Sequence, residues 1–170
     1  RPGKIFFGEG PEKSTGGLVI RLQEALTRAA IPHEVPADMM LIMWWKFMIN
    51  VGVNQASAVL RAPYGVFHSS AEARALMEML MREVVTLADK VSVNLTQKDL
   101  DEWSAVLATL APEGKTSMLQ DIEAGRKTEV EVFAGKVVSM GVEYGVATPV
   151  NQTILHIIKV MEDLGNETSR

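Results

Sequence analysis

The chain has 170 residues, enough for one well-packed domain, or for one domain with part of another, but not for two complete domains. Hydrophobic residues make up 47% and charged residues 22%, the composition of a folded globular protein and not of a disordered one. The net charge of −4, without a basic cluster, argues against a nucleic-acid partner. There is no cysteine, which excludes disulfides and thiolate metal sites and agrees with a cytoplasmic location.

The first 36 residues predict the end of an α/β domain. Residues 4–7 read as a strand, residues 18–29 carry apolar side chains at helical intervals, and a short extended stretch follows. Two strands and one helix cannot close a sheet, so we expect residues 1–36 to be the trailing part of a larger α/β unit. No secretory signal is visible at the start of the sequence. Because the sequence begins at Arg1 and not at Met, we expect a piece of a longer protein.

From residue 38 onward the sequence predicts about six helices that pack as one compact unit. Each begins at a recognisable capping signal. The signals are Asp38; Ser69 with Glu72; Thr96 with Asp99; Thr116 or Ser117; Thr128 with Glu131; and Thr148 followed by Pro149.

The most apolar stretch of the chain, residues 39–60, contains a candidate site. Lys46 is its only charged residue, and Asn50 and Asn54 follow at four-residue intervals. At about 100° per residue, these three side chains share one helix face. The polar residues make a membrane span improbable, so we interpret the stretch as a helix packed on all sides.

Burial of an unpaired ammonium is costly and lowers its pKa, so we expect a buried Lys46 to be functional and a better proton donor than a free lysine. The alternative is a polar seam whose groups are satisfied inside a helical bundle.

Other chemical motifs are absent or incomplete. Gly8-Glu9-Gly10 lacks the third glycine of a dinucleotide loop because Lys13 stands there. The three histidines are widely spaced, so we expect no metal site. Ten methionines follow helical spacing and are expected to fill the core. On spacing alone, Glu129 could simply be a charge beside a helix start.

Three blocks of sequence resemble the C-terminal domain of the ketopantoate reductase family. Residues 45–50, with Asn54 next in step, resemble its W-x-K-x-x-x-N-x-x-x-N segment. Residues 117–122 (S-M-L-Q-D-I), followed by G-R and T-E, resemble its S-M-x-Q-D, G-R and T-E signature. Residues 145–151 are similar to its G-x-x-T-P-x-N entry to the last helix. The resemblance covers the whole chain.

The resemblance implies a mainly α substrate and catalytic domain at 37–170, preceded at 1–36 by a β-α-β remnant of a Rossmann-type nucleotide-binding domain. It implies NADPH-dependent reduction of 2-dehydropantoate to pantoate, which supplies pantothenate. The glycine-rich cofactor loop would lie upstream, so we expect these 170 residues to be inactive alone. The implied partners are a small 2-oxo acid and the upstream domain of the same protein. A homodimer is a further candidate, and we expect no membrane partner.

The resemblance also assigns roles to five residues. Lys46 matches the general acid of the family, and Asn50 and Asn54 match positions that hold the substrate. Ser117, at a predicted helix start, would hold the substrate carboxylate. Glu129 matches an acidic residue near the substrate hydroxyl, the lysine and the nicotinamide ribose, and so is expected to contact the cofactor.

The sequence departs from the family pattern at two places. Ala134, between Phe133 and Gly135, stands where many relatives have Asn, and Glu131 replaces a frequent Asp. The loss of an amide at 134 could change substrate selectivity. Two alternatives stay open: a reductase of another branched 2-oxo acid, and a non-catalytic module in which the long apolar helix mediates dimerisation.

Overall fold

The computed structural model describes residues 3–10 and 16–168, with side chains up to residue 165. By its internal contacts the chain divides into two compact units, Arg1–Lys46 and Phe47–Arg170. The division falls inside a helix and ten residues beyond the domain boundary predicted at 36/37, which stays a prediction.

The first unit is a small parallel β-α-β arrangement that runs into a helix. Its elements are β1 (Ile5–Phe6), α1 (Gly17–Arg28), β2 (His33–Glu34) and the start of α2 (Met39–Ile49). The two strands pair in parallel, with Ile5 opposite His33. Asp38 caps α2 as predicted, because its Oδ1 accepts from the Leu41 N–H at 2.9 Å.

The second unit is helical wherever the structure assigns regular structure to its described residues. It continues α2 and then contains a first π turn (Asn50–Asn54), α3 (Gln55–Leu60), α4 (Tyr64–Ser69), α5 (Ala71–Lys90), α6 (Gln97–Leu107), α7 (Ser117–Glu123), a second π turn (Glu131–Gly135), α8 (Lys136–Tyr144) and α9 (Pro149–Thr168). The mainly α prediction is confirmed. Among the described helices, none is both long enough and apolar enough for a membrane span.

Two helix starts show how closely sequence signals locate caps. Thr96 and Asp99 form the predicted capping box of α6: the Thr96 N–H and hydroxyl donate to Asp99 Oδ2 at 2.7 and 2.9 Å. At α5 the predicted cap is one residue early. Ser69 ends the short, unpredicted α4 and its hydroxyl bonds back into that helix, so Ser70 caps α5 by accepting from Ala73 N–H at 3.2 Å.

The predicted capping box of Thr128 with Glu131 is wrong. The Thr128 N–H and hydroxyl both donate to Glu162 Oε1, at 2.6 Å, from the neighbouring α9. Glu131 instead forms an ion pair with Lys159, and its hydrogen bond and charge raise the pKa of Lys159. Because α9 packs against the second π turn, it supplies a tertiary partner that replaces the local one.

Helix α5 forms the centre of the second unit. It packs against the first π turn, α3, α4, α8 and α9. Its buried residues recur at intervals of three and four, as expected of a helix that presents a wide apolar stripe: Ala73, Met77, Leu80, Met81, Val84, Leu87 and Ala88. Met77 and Met81 are fully buried, in line with the predicted core role of the methionines, whereas Met43 and Met79 are exposed.

The first π turn approaches α5 most closely at Gly52. A Cβ atom built on Gly52 would lie 2.5 Å from both Cγ and Cε of Met81, whose side chain is fully buried. A methyl group at this position would therefore force Met81 or the turn itself to move. Only glycine lets the turn sit at this distance from α5.

We expect Gly52→Ala to lower the free energy of unfolding by about 1–3 kcal/mol, because it overpacks a filled core. Gly17→Ala is the matched control, since its Cβ would meet nothing within 4 Å. Urea unfolding of both variants measures the difference. Equal stability of the two variants would contradict the close approach of Gly52 to Met81.

Candidate active site

Lys46 lies in α2 and its side chain is exposed. The expected burial of Lys46 is therefore wrong for the described chain. The buried part of this helical segment begins at Met48, which is 0% exposed, and continues into the first π turn, where packing against α5 begins. Among the described residues, the Lys46 ammonium has no acidic partner. Its role as a proton donor stays a prediction.

Asn50 and Asn54 open and close the first π turn. A π turn is closed by i→i+5 hydrogen bonds, and four residues are close to one full turn in either an α-helix or a π-helix, so the two asparagines share a face. Asn50 is half-buried and Asn54 is 9% exposed. The sequence predicted the shared face but not the π turn.

Neither asparagine amide has a hydrogen-bond partner among the described residues. In that part of the chain, the fully enclosed side-chain nitrogens and oxygens that lack a partner are the indole nitrogens of Trp45 and Trp103. The Asn54 amide therefore keeps contact with solvent although the residue as a whole is nearly buried. A polar seam inside a bundle would satisfy these amides internally. The structure does not show that pairing.

Ser117 is the first residue of α7 and is exposed, while its neighbour Thr116 is the buried cap. The Thr116 Oγ1 accepts from Leu119 N–H at 3.2 Å and donates to Ser57 Oγ, at 3.1 Å, on α3. The Ser57 hydroxyl in turn donates to the Ala62 carbonyl at 2.7 Å. Because α7 also contacts the first π turn, Ser117 and the asparagines lie on elements that pack together.

Glu129 lies just before the second π turn and is exposed. Its backbone carbonyl accepts from the N–H groups of Val132 and Phe133, at 2.9 and 3.1 Å. Its carboxylate has no hydrogen-bond or ion-pair partner among the described residues. The bond from Thr128 to Glu162 fixes the residue before it. Glu129 is thus a free carboxylate at an anchored position of the backbone.

Gln55 is a residue that the sequence reasoning missed. It follows Asn54 directly, is 0% exposed, and connects the two π turns through its side-chain amide. Nε2 donates to the Val51 carbonyl at 2.7 Å and to Asn151 Oδ1 at 3.1 Å, while Oε1 accepts from Ala134 N–H at 3.0 Å. The available signal was an amide side chain, next to a candidate site residue, within a strongly apolar segment.

Asn151 extends this network to α5 and α9. Its Nδ2 donates to the Leu80 carbonyl at 3.2 Å and to Glu83 Oε2 at 2.7 Å. Glu83 also accepts from the N–H groups of Val150 and Asn151, at 2.8 and 3.0 Å. A carboxylate at the first turn of a helix satisfies unpaired N–H groups and favours the helix dipole. The Asn of the T-P-x-N segment is therefore a buried structural residue.

The Gly-Arg pair of the second sequence block also has a structural role. Arg126 Nε and Nη2 donate to Asp121 Oδ1 at 2.9 and 2.6 Å, and the Arg126 N–H donates to the Asp121 carbonyl at 2.8 Å. Gly125 between them has φ +62°, which favours glycine. These contacts close the C-terminal end of α7.

The described surface of the second unit has a pocket of about 310 Å³ between the end of α3 and the start of α5. Arg61, Ser70 and Glu72 are among its lining residues. None of the five predicted site residues lines this pocket, so it is distinct from the candidate active site.

The sequence matches a known family model over most of its length. The model described as "Ketopantoate reductase PanE/ApbA C terminal" matches residues 38–162. The 2-dehydropantoate 2-reductase of Pyrobaculum aerophilum is 33% identical over 148 residues, covering 87% of this chain and 53% of that protein. The corresponding enzyme of Aquifex aeolicus is 28% identical, covering 94% of this chain and 52% of that protein. The chain thus spans about half the length of these curated relatives.

Solved structures share the fold. A dimeric ketopantoate reductase from Staphylococcus aureus aligns with a TM-score of 0.83 at 21% identity, covering 97% of this chain and 56% of that one. A D-mandelate dehydrogenase with NADH and anilino(oxo)acetate aligns with a TM-score of 0.82 at 19% identity, covering 98% and 69%.

We expect Glu83→Gln to lower the free energy of unfolding by about 1–3 kcal/mol, because its one amide oxygen cannot replace two carboxylate oxygens that accept three hydrogen bonds. Glu102→Gln, an exposed change in α6, is the matched control. Urea unfolding compares the two variants. A loss no greater than that of the control would contradict the role of Glu83 at the start of α9.

Proposed function

This chain belongs to the ketopantoate reductase PanE/ApbA C-terminal family, and we propose that it is the substrate-binding and catalytic half of an NADPH-dependent 2-dehydropantoate 2-reductase. The proposed reaction type is based on the family match. The location of the site rests on the amide of Asn54, which has no partner among the described residues and remains in contact with solvent although the residue is nearly buried, so that it is available to a ligand. NADPH, when bound, supplies the hydride that attacks the ketone carbon.

We propose that Lys46 donates the proton to the carbonyl oxygen of the substrate. Negative charge develops on that oxygen as the ketone is reduced, and a nearby ammonium both stabilises the charge and completes the alcohol. Two observations support the choice: Lys46 occupies the lysine of the W-x-K segment, and its exposed ammonium has no acidic partner among the described residues. Its shared face with Asn50 and Asn54 is part of the proposal.

Asn50, Asn54 and Ser117 are proposed to bind and orient the 2-oxo acid. The two amides have unused donors, and Ser117 places an exposed hydroxyl at the start of α7. Because α7 contacts the first π turn, these groups can serve one small ligand. Correct orientation of the ketone lowers the barrier to its reduction without any chemistry at the three residues themselves.

Glu129 is proposed to position the substrate hydroxyl and the ribose of the cofactor. Its carboxylate is exposed and unpaired in the described structure, so it can accept hydrogen bonds from hydroxyl groups. The described residues fit this limited contact with NADPH, whereas the main cofactor contacts are proposed to lie in an upstream domain of the same protein. A homodimer and a cytoplasmic location stay predictions.

A second candidate function is reduction of another 2-oxo acid, with NADH as a further cofactor candidate. Ala134 is fully buried and supplies no side-chain amide where many relatives have one. The fold is shared with a D-mandelate dehydrogenase solved with NADH, which shows that the architecture itself does not select one substrate or cofactor. A panel of 2-oxo acids, each tested with NADPH and NADH, distinguishes the two candidates.

We expect Lys46→Ala, in the reductase that contains this chain, to lower kcat for ketopantoate by about 10²–10⁴-fold, because the reaction loses its general acid. The measurement is NADPH oxidation at saturating substrate. Lys136→Ala, an exposed lysine on α8, is the matched control and should keep wild-type turnover.

The isolated 170 residues serve as a negative control, since they contain no complete glycine-rich cofactor loop, and no NADPH oxidation is expected from them. Wild-type turnover by Lys46→Ala would contradict the acid role. A change in assembly with intact turnover would instead favour the dimerisation module.

A further inference from the structure

We propose that Gln55 is a positioning residue that holds both π turns in one arrangement and thereby places the Asn54 amide and the Glu129 carboxylate for the substrate. The inference rests on the proposed function of those two residues. Gln55 itself is fully buried, so its side chain is not accessible to a substrate. It acts through its hydrogen bonds to the backbone of the two π turns.

The second π turn depends on Gln55 for its backbone hydrogen bonding. In a regular α-helix the Ala134 N–H would donate to the Val130 carbonyl. Here that carbonyl accepts from the Gly135 N–H at 3.0 Å, one residue later, so the Ala134 N–H is released from the ladder. Gln55 Oε1 accepts it at 3.0 Å. Without this acceptor, a buried N–H would lose its partner.

The first π turn is held by the other end of the same amide. Gln55 Nε2 donates to the Val51 carbonyl, within the turn, at 2.7 Å. Its second hydrogen goes to Asn151 Oδ1 at 3.1 Å, which fixes the amide orientation. Both donors of the amide are therefore used, and the oxygen is committed to the second turn. Rotation of the side chain toward one π turn would break its hydrogen bond with the other π turn.

The position of the two π turns determines where the candidate substrate contacts lie. Asn54 is the residue before Gln55, and Glu129 precedes the turn that contains Ala134. The two π turns contact each other, so a change in one is transmitted to the other. A displacement of about 1 Å can reduce turnover by as much as about 10²-fold. Gln55 should therefore affect substrate use and not only stability.

Gln55→Met in the reductase that contains this chain tests the proposal, because it keeps a similar length while removing all three hydrogen bonds. Measured well below the unfolding temperature, kcat/KM for ketopantoate should fall about tenfold or more, with part of the loss in KM. Thr96→Ala, which removes the Thr96 hydroxyl from the capping box of the remote α6, is the control that should lower stability but leave KM unchanged. Wild-type KM and kcat in a folded Gln55→Met variant would overturn the proposal.

Gln55→Glu provides the second variant if Gln55→Met does not fold. It keeps an acceptor for the Ala134 N–H but loses the donors to Val51 and Asn151, so kcat/KM should be lower than in the wild type. Wild-type kinetics in this variant would overturn the proposal.

Amide hydrogen exchange at Ala134 separates this inference from the proposed function. If the wild-type enzyme reduces no 2-oxo acid, the proposed function fails, but Gln55 can still be judged by this exchange and by the NMR signal of the Asn54 side chain. Faster exchange at Ala134 together with a shifted Asn54 signal, in a variant that remains folded, supports the positioning role. Unchanged exchange and an unchanged signal overturn it.

Discussion

The hydrogen bonds of the Gln55 side chain are the constraint on which the arrangement of the candidate site depends. One amide joins a carbonyl of the first π turn, an N–H of the second π turn and the Asn151 side chain at the start of α9. Asn151 and Glu83 then tie α9 to α5. Buried networks of this kind are costly if any member is left unsatisfied, so they favour a single arrangement of the segments that they connect.

The family motifs divide into groups with different physical roles. Asn54, Ser117 and Glu129 present polar groups that the described protein leaves available. Asp121 with Arg126, and Asn151 with Glu83, are instead engaged in closing or anchoring helices. Resemblance alone gives all of these positions equal weight. Hydrogen-bond accounting separates those that can meet a ligand from those that hold the fold.

Much of the fold could be predicted from local sequence signals. Helical periodicity and the capping residues Asp38 and Thr96 act over three or four positions, and the structure confirms these starts. The two π turns could not be predicted in this way, because the released N–H of Ala134 finds its acceptor on a residue 79 positions away. For the same reason Glu162, and not the nearby Glu131, bonds to Thr128.

Only part of the candidate site could be predicted from the sequence. Spacing predicted that Lys46, Asn50 and Asn54 share one face, which stays a prediction, and the two asparagines lie in the first π turn. The apolar neighbours of Lys46 suggested a burial that the described chain does not have. Hydropathy reports how apolar a segment is, and not where along it the packing partners begin. Gln55 escaped notice because its importance comes from tertiary partners rather than from a pattern around it.

The central proposal can be tested by a crystal structure of the proposed full-length reductase, bound to pantoate and oxidised cofactor. We expect pantoate oxygens at about 3 Å from the Asn54 amide and the Ser117 hydroxyl, with both π turns retained. Pantoate bound at another surface, with the Asn54 amide contacting only water, would contradict it.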